Sequence, residues 1–171
     1  MQFKLKKWEM SFANSLAESA NDVRIVRWLN EGFPNPYTLQ DAERFIGNVL
    51  SDGKAYHRAI VSDEKVIGGI SAACKRGAMR FCADLGYWLA PDFWNKGIMT
   101  AAVGLFCEEM FSSSDVNRIQ AEVFVPNVAS CRVLEKCGFQ KEGVLRQSVF
   151  KNGKFYDAAV YGLLASERGE V

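Results

Sequence analysis

The chain has 171 residues, 49% hydrophobic and 24% charged, which fits one globular domain able to bury a sizeable core. Its formal net charge of +1 provides no strong field that would select nucleic acid or an anionic membrane surface. The basic start MQFKLKKWEM lacks the apolar run of a signal peptide, and no stretch has the apolar length of a membrane span.

Residues 4–8 read as a first strand. Residues 11–29 alternate polar and apolar positions at helical spacing, which predicts a helix burying Leu16, Val23, Ile25, Val26 and Leu29. Its continuation is barred by the prolines of Asn30-Glu31-Gly32-Phe33-Pro34-Asn35-Pro36-Tyr37. Thr38 is placed to cap a helix over 39–50, with Asp41 in its first turn. Strands are expected at 55–62 and 66–74 around the turn Asp63-Glu64-Lys65, and at 80–89 after a second turn. A helix over 98–111, a strand over 117–125 and a helix over 127–136 ending at Gly138 follow. The last strands, 144–150 and 155–163, flank Lys151-Asn152-Gly153-Lys154, and Asn-Gly between two apolar runs signals a hairpin.

With no repeat and no linker, residues 1–171 form one domain of the α+β or mixed α/β class. Neither G-x-G-x-x-G after a strand nor G-x-x-x-x-G-K-[ST] is present, so the pattern is not that of a dinucleotide fold or a P-loop. Cys74, Cys82, Cys107, Cys131 and Cys137 are odd in number and lack a C-x-x-C pair, and they read as buried thiols of a reducing cytoplasm. One histidine and no ligand-like spacing argue against a metal site.

The connection "FWNKGIMT", residues 93–100, joins an expected strand to an expected helix. The first N–H groups of that helix have no intrahelical acceptor, and Gly97 permits close approach of a bulky anion. Lys96 adds a charge and Thr100 a hydroxyl, so the turn has the parts of a pyrophosphate cradle. A tight turn with one surface lysine has the same letters. Further on, Pro126 ends a strand, Asn127 is a natural N-cap, and Ser130 lies near the same helix end. Two strands each followed by a helix N-terminus make a cleft beyond their carboxyl ends, where ligands commonly bind.

"ADLGYWLAPDFWNKGIMTAAV" followed by "NVASCRVLEKCGFQKEGVLR" resembles the GCN5-related N-acetyltransferases, nearest the branch holding the ribosomal-protein alanine acetyltransferases. "FPNPYTLQDAERFI" is similar to that branch's early helices. The resemblance implies a mostly antiparallel twisted sheet, splayed between its fourth and fifth strands and flanked by helices. It also implies acetyl-coenzyme A as co-substrate, no metal, and direct transfer to an amine within a ternary complex. The family's turn motif is Arg or Gln, two variable residues, Gly, one variable residue, then Gly or Ala. Only Gly97 fits it strictly, and Trp94 and Met99 depart from it.

By that resemblance, N–H groups of Asn95, Lys96, Gly97, Ile98, Met99 and Thr100 hold the pyrophosphate. Tyr87 and Leu89 offer backbone groups to the pantetheine, and Asn127 bonds the same arm. Arg132 and Lys136, four apart, are placed to meet the ribose phosphate, although such a pair is more often a solvated face. Asp84 corresponds to a family glutamate that acts as base, and burial beside Trp88 would strengthen it as one; a hydrogen-bonded strand carboxylate is the equal alternative. A tyrosine acid is common in the family, but Leu134 stands at its position, so Ser130 is the substitute. Phe33, Tyr37 and Trp88 line the acceptor cleft. The acceptor is a peptide N-terminus or a small-molecule amine, and a homodimer through the last hairpin is compatible with the sequence. The competing readings are a non-catalytic acetyl-coenzyme A sensor on the same fold and a partner-binding protein that has lost the cofactor.

Overall fold

The computed structural model of the chain describes residues 2–52 and 56–167, so Ala55, the expected start of the second strand, lies outside them. Among the described residues the strands are β1 (Lys4–Lys6), β2 (Tyr56–Ser62), β3 (Lys65–Cys74), β4 (Cys82–Leu89), β5 (Arg118–Phe124), β6 (Gln140–Lys151) and β7 (Lys154–Leu164). The helices are α1 (Ala13–Ala20), α2 (Val23–Val26), α3 (Leu39–Ser51), α4 (Ile98–Ser113) and α5 (Val128–Lys136). The strands are hydrogen-bonded in the order β1-β2-β3-β4-β5-β7-β6. The β4–β5 pair is parallel, while β1–β2, β2–β3, β5–β7 and β6–β7 are antiparallel. This is the mixed α/β, mostly antiparallel sheet that the sequence led us to expect. The parallel register runs Cys82↔Arg118, Ala83↔Ile119 and Asp84↔Gln120 and stops there, although both strands continue. Pairing therefore gives out between the fourth and fifth strands.

The chain divides into two compact units, Met1–Ala72 with Gly86–Ala102, and Ala73–Leu85 with Val103–Val171. In the first, Trp8, Phe12, Leu16, Ile46, Ala59 and Val66 belong to one buried cluster. α3 starts with a reciprocal capping box: Asp41 N–H donates to Thr38 Oγ1 at 3.2 Å, and Thr38 N–H donates to Asp41 Oδ2 at 2.9 Å. β2 and β3 join through Asp63 and Glu64, both at positive φ (48° and 60°), the two-residue hairpin geometry. Close packing of β3 on β4 depends on two missing side chains. A Cβ at Gly68 would lie 2.5 Å from the Trp88 carbonyl oxygen, and one at Gly69 would lie 2.8 Å from Trp88 Nε1.

The expected single helix over 11–29 is broken at Asn21 and Asp22. Asp22 Oδ1 accepts the Arg24 N–H at 2.8 Å and caps a new, short α2, while Asn21 Oδ1 accepts the Tyr37 N–H at 3.0 Å. Two short polar side chains thus offer the backbone bonds that compete with helix continuation. Val23 is consequently 68% exposed rather than buried, Ile25 is buried, and Val26 and Leu29 are half-buried. β1 also stops before residue 8, where Trp8 is buried instead.

The second unit buries Phe106, Met110, Ile119, Leu134 and Tyr161. Asn152 (φ 50°) and Gly153 (φ 74°) make the expected turn between β6 and β7. β6 begins at Gln140 rather than 144, because Gln140 and Lys141 already pair with Gly162 and Tyr161 across a register shift. Gly162 accommodates the ion pair of Arg118 with Glu142 (2.5 Å): a Cβ there would meet Glu142 Oε1 at 2.5 Å.

Candidate functional site

β4 leads through the 3-10 turn Pro91–Phe93 into the connection before α4. Asn95 (φ 58°) and Gly97 (φ 74°) are left-handed, and Lys96 between them is not. Alternation of handedness turns successive N–H groups toward one concavity, the geometry of an anion-binding nest. The first helical bond is Ala101 N–H to Gly97 C=O at 3.1 Å, so the N–H groups of Ile98 and Met99 precede the helix's own bonding. Nothing lies within 4 Å of a Cβ built at Gly97. Met99 is buried at 8% exposure, so the methionine at a position where the motif has Gly or Ala does not cover the turn. The turn is braced from below: Trp94 Nε1–H donates to the Leu89 carbonyl at 2.8 Å. Lys96 also braces it, donating from Nζ to the Asp92 carbonyl at 2.7 Å and lying 5.4 Å from the Phe93 ring centroid.

The second unit carries the other expected residues. Asn127 caps α5, its Oδ1 accepting the Ser130 N–H at 3.3 Å, and both residues are half-buried. Arg132 is exposed, and Leu134 is fully buried as a core residue. Tyr161 on β7 escaped the sequence reading: its hydroxyl donates to Glu135 Oε1 at 3.0 Å, and burial with Cys131 and Glu135 pushes its ionisation up. Only the fold brings that strand residue to α5.

Asp84 differs from expectation. Its side chain is 50% exposed rather than buried, and its Oδ2 lies 3.1 Å from Lys75 Nζ. The cause is the strand's own alternation: Ala83, Leu85 and Leu89 take the buried face, leaving Asp84 on the other.

The first unit contains a cavity of about 520 Å³. Phe33, Tyr37 and Trp88, named from the sequence as acceptor residues, meet on its wall. The Phe33 and Tyr37 rings are 5.0 Å apart between centroids, and Phe33 and Trp88 are 6.2 Å apart. Burial pushes the Tyr37 hydroxyl up to about 12. The lining also includes Trp8, Phe45 and His57, with Phe45 edge-on to Trp8 at 5.1 Å and to His57 at 6.3 Å. Burial holds the His57 imidazole below its usual range, with Asp52 opposing and Arg58 reinforcing that shift. These three come from distant segments and no sequence spacing marks them as a group. Gly86, Tyr87 and Trp88 of β4 also line the cavity, so the strand that bounds it is the one that runs into the turn at 94–97.

Among the described residues, no cluster of three or more His, Cys, Asp or Glu is arranged to hold a metal ion. No described helix is long and apolar enough to cross a membrane.

An open, left-handed turn at a helix start, with a parallel strand pair that ends early, suits an acetyltransferase domain. Residues 3–140 match the profile of the acetyltransferase (GNAT) domain, and the chain belongs to that family. It is 41% identical over 118 residues to the probable N-acetyltransferase YjcK of Bacillus subtilis, covering 67% of this chain and 65% of that protein's length. Among solved structures it is similar to Mycobacterium smegmatis RimJ in complex with coenzyme A disulfide (TM-score 0.89, 22% identity, 98% of this chain and 84% of that one). It is also similar to the microcin C7 self-immunity acetyltransferase MccE in complex with acetyl-coenzyme A and AMP (TM-score 0.82, 26% identity, 95% and 92% covered).

Proposed function

We propose that the protein transfers an acetyl group from acetyl-coenzyme A directly to a primary amine, on a peptide N-terminus or a small molecule, within a ternary complex. The observation that carries this reading is the turn at 95–97: a left-handed pair around Lys96, open space at Gly97, and a helix N-terminus behind it. The similar MccE is in complex with acetyl-coenzyme A, and backbone N–H groups at a helix start are of the kind that take a pyrophosphate.

Bound acetyl-coenzyme A supplies the activated acetyl thioester. The N–H groups from Asn95 to Thr100 hold its phosphates, and backbone groups of Tyr87 and Leu89 direct its arm. Asn127 and Arg132 serve the same ligand. Asp84 takes the amine proton, directly or through water, and Ser130 returns one to the departing sulfur. Holding the two reactants together supplies much of the rate. The whole chain acts as one catalytic domain in the cytoplasm, without nucleic acid or membrane as partner.

The test is coenzyme A release from acetyl-coenzyme A over a panel of amines and short peptides, with acetyl-coenzyme A binding measured alongside. Turnover supports the enzyme. Tight binding with no turnover across the panel leaves a sensor, and absence of binding removes both.

A further inference from the structure

The cavity of the first unit has a one-sided chemistry. Its lining is rich in rings: Phe33, Tyr37 and Trp88, together with Trp8, Phe45 and His57. Among the described lining residues, Asp41 is the one carboxylate, and its oxygens are already engaged. Oδ2 accepts the Thr38 N–H at 2.9 Å and the Thr38 hydroxyl at 2.6 Å, and Oδ1 pairs with Arg44. Only 14% of the Asp41 side chain is exposed, whereas Arg44, the one lining arginine, is 62% exposed.

These facts bear directly on which amine is accepted. A polyamine or an aminoglycoside brings several positive charges, each needing a carboxylate or water. Here it would meet a carboxylate already paired with Arg44 and bonded to Thr38, which leaves its extra charges unmatched. An amine carried on a flat apolar body instead gains ring stacking along its body and a cation–ring contact at its charged end. The volume, about 520 Å³, falls in the range for a small organic ligand, roughly 300–1,000 Å³. Tyr37 is held in place. The Tyr37 backbone is held by Asn21 and the following residue by the Thr38 capping box, so the aromatic wall is fixed before a ligand arrives.

We infer that this cavity is the acceptor site and that it selects a primary amine on an aromatic body, supplied as an arylalkylamine or as the N-terminal aromatic residue of a peptide, over polycationic amines. The inference rests on the acetyl-transfer reading for its catalytic meaning, but the cavity's preference is measurable without turnover.

The experiment has two arms on the full chain. The first is calorimetric titration with phenethylamine, a phenylalanyl dipeptide amide, spermidine and kanamycin, without acetyl-coenzyme A. The second is coenzyme A release with the same four amines. The expected result is that phenethylamine or the dipeptide binds at least about tenfold more tightly than spermidine or kanamycin. Whichever of the first two binds more tightly identifies the source. Phe33→Ala should weaken that binding about tenfold, and Arg44→Glu, which adds a carboxylate to the cavity, should strengthen spermidine binding by a similar factor. Equal or tighter binding of spermidine or kanamycin overturns the inference, as does binding of none of the four or indifference to Phe33→Ala. Aromatic-amine binding with no release of coenzyme A from any amine would defeat the acetyl-transfer reading while leaving the cavity's preference standing. Release with spermidine alone would do the reverse.

Discussion

The side chain that Gly97 lacks is the most direct handle on the cradle. At φ 74° any L residue is strained by about 1–2 kcal/mol, and a bulky one also fills the concavity. Gly97→Trp should therefore abolish acetyl-coenzyme A binding in calorimetry with only a modest fall in melting temperature. Unchanged affinity would remove the phosphate reading. Asp84 is a different kind of candidate, because its carboxylate is half exposed beside Lys75. Water can reach an amine at such a place, so Asp84→Asn should reduce kcat about tenfold to a hundredfold at neutral pH, toward the low side for a general base. Acetyl-coenzyme A affinity should hold. A retained rate would assign the proton to solvent or to another group.

The legibility of the site follows the range of the interactions that make it. Asn127 as a cap, Thr38 with Asp41, and Asn152-Gly153 as a hairpin turn are local chemistry, and the structure has each where the sequence places it. Gly97 and its neighbours were marked by their letters. What was not legible depends on partners far along the chain. Asn21 reaches to Tyr37 and thereby ends a helix that periodicity alone would continue. His57 and Phe45 become neighbours only when β2 and α3 pack together. The exposure of Asp84 followed from which face of β4 turned inward, a choice that alternation presents but does not make.

At the scale of elements, two glycines that both exclude a side chain should respond differently. Beside Gly68 stands a backbone carbonyl, that of Trp88, at 2.5 Å from an added Cβ. The strand itself must move, so Gly68→Ala should cost about 1–3 kcal/mol and lower the denaturant midpoint clearly. Beside Gly162 stand the ends of the Arg118 and Glu142 side chains. They can swing away, and Gly162→Ala should cost no more than the exposed ion pair they form, about 0–1 kcal/mol. Chemical denaturation of the two variants in parallel checks the contrast. Equal losses would mean that β3 and β4 tolerate separation, or that the Arg118–Glu142 pair is worth more than its exposure suggests.

For the whole molecule, pH and thiol chemistry give two global readouts. Burial depresses the His57 imidazole in the folded state, so the unfolded chain binds the extra proton first as pH falls. The stability associated with a neutral His57 is present above the unfolded imidazole value of about 6.5 and is lost below it. Unfolding midpoints should thus fall between neutral pH and the mildly acidic range, and His57→Gln should flatten that part of the curve. The cysteines, expected to be uniformly buried, are graded instead. Cys74 at the end of β3 is exposed, Cys82, Cys131 and Cys137 are half-buried, and Cys107 is buried with its thiol pushed up to about 12. Native-state thiol titration should label Cys74 first and Cys107 only after unfolding.

β6 lies at one end of the strand order, and its pairing with β7 is interrupted between Leu145 and Val149. There Gln147 adopts φ 52° and its N–H donates to Asp157 Oδ1 at 2.8 Å. Val144, Leu145 and Phe150 are all exposed along the same strand, a composition that invites stacking of chain upon chain. A kinked border gives an incoming strand no continuous row of backbone partners. One carboxylate and one bent residue thus keep this edge from the flat, regular geometry that edge-to-edge pairing needs.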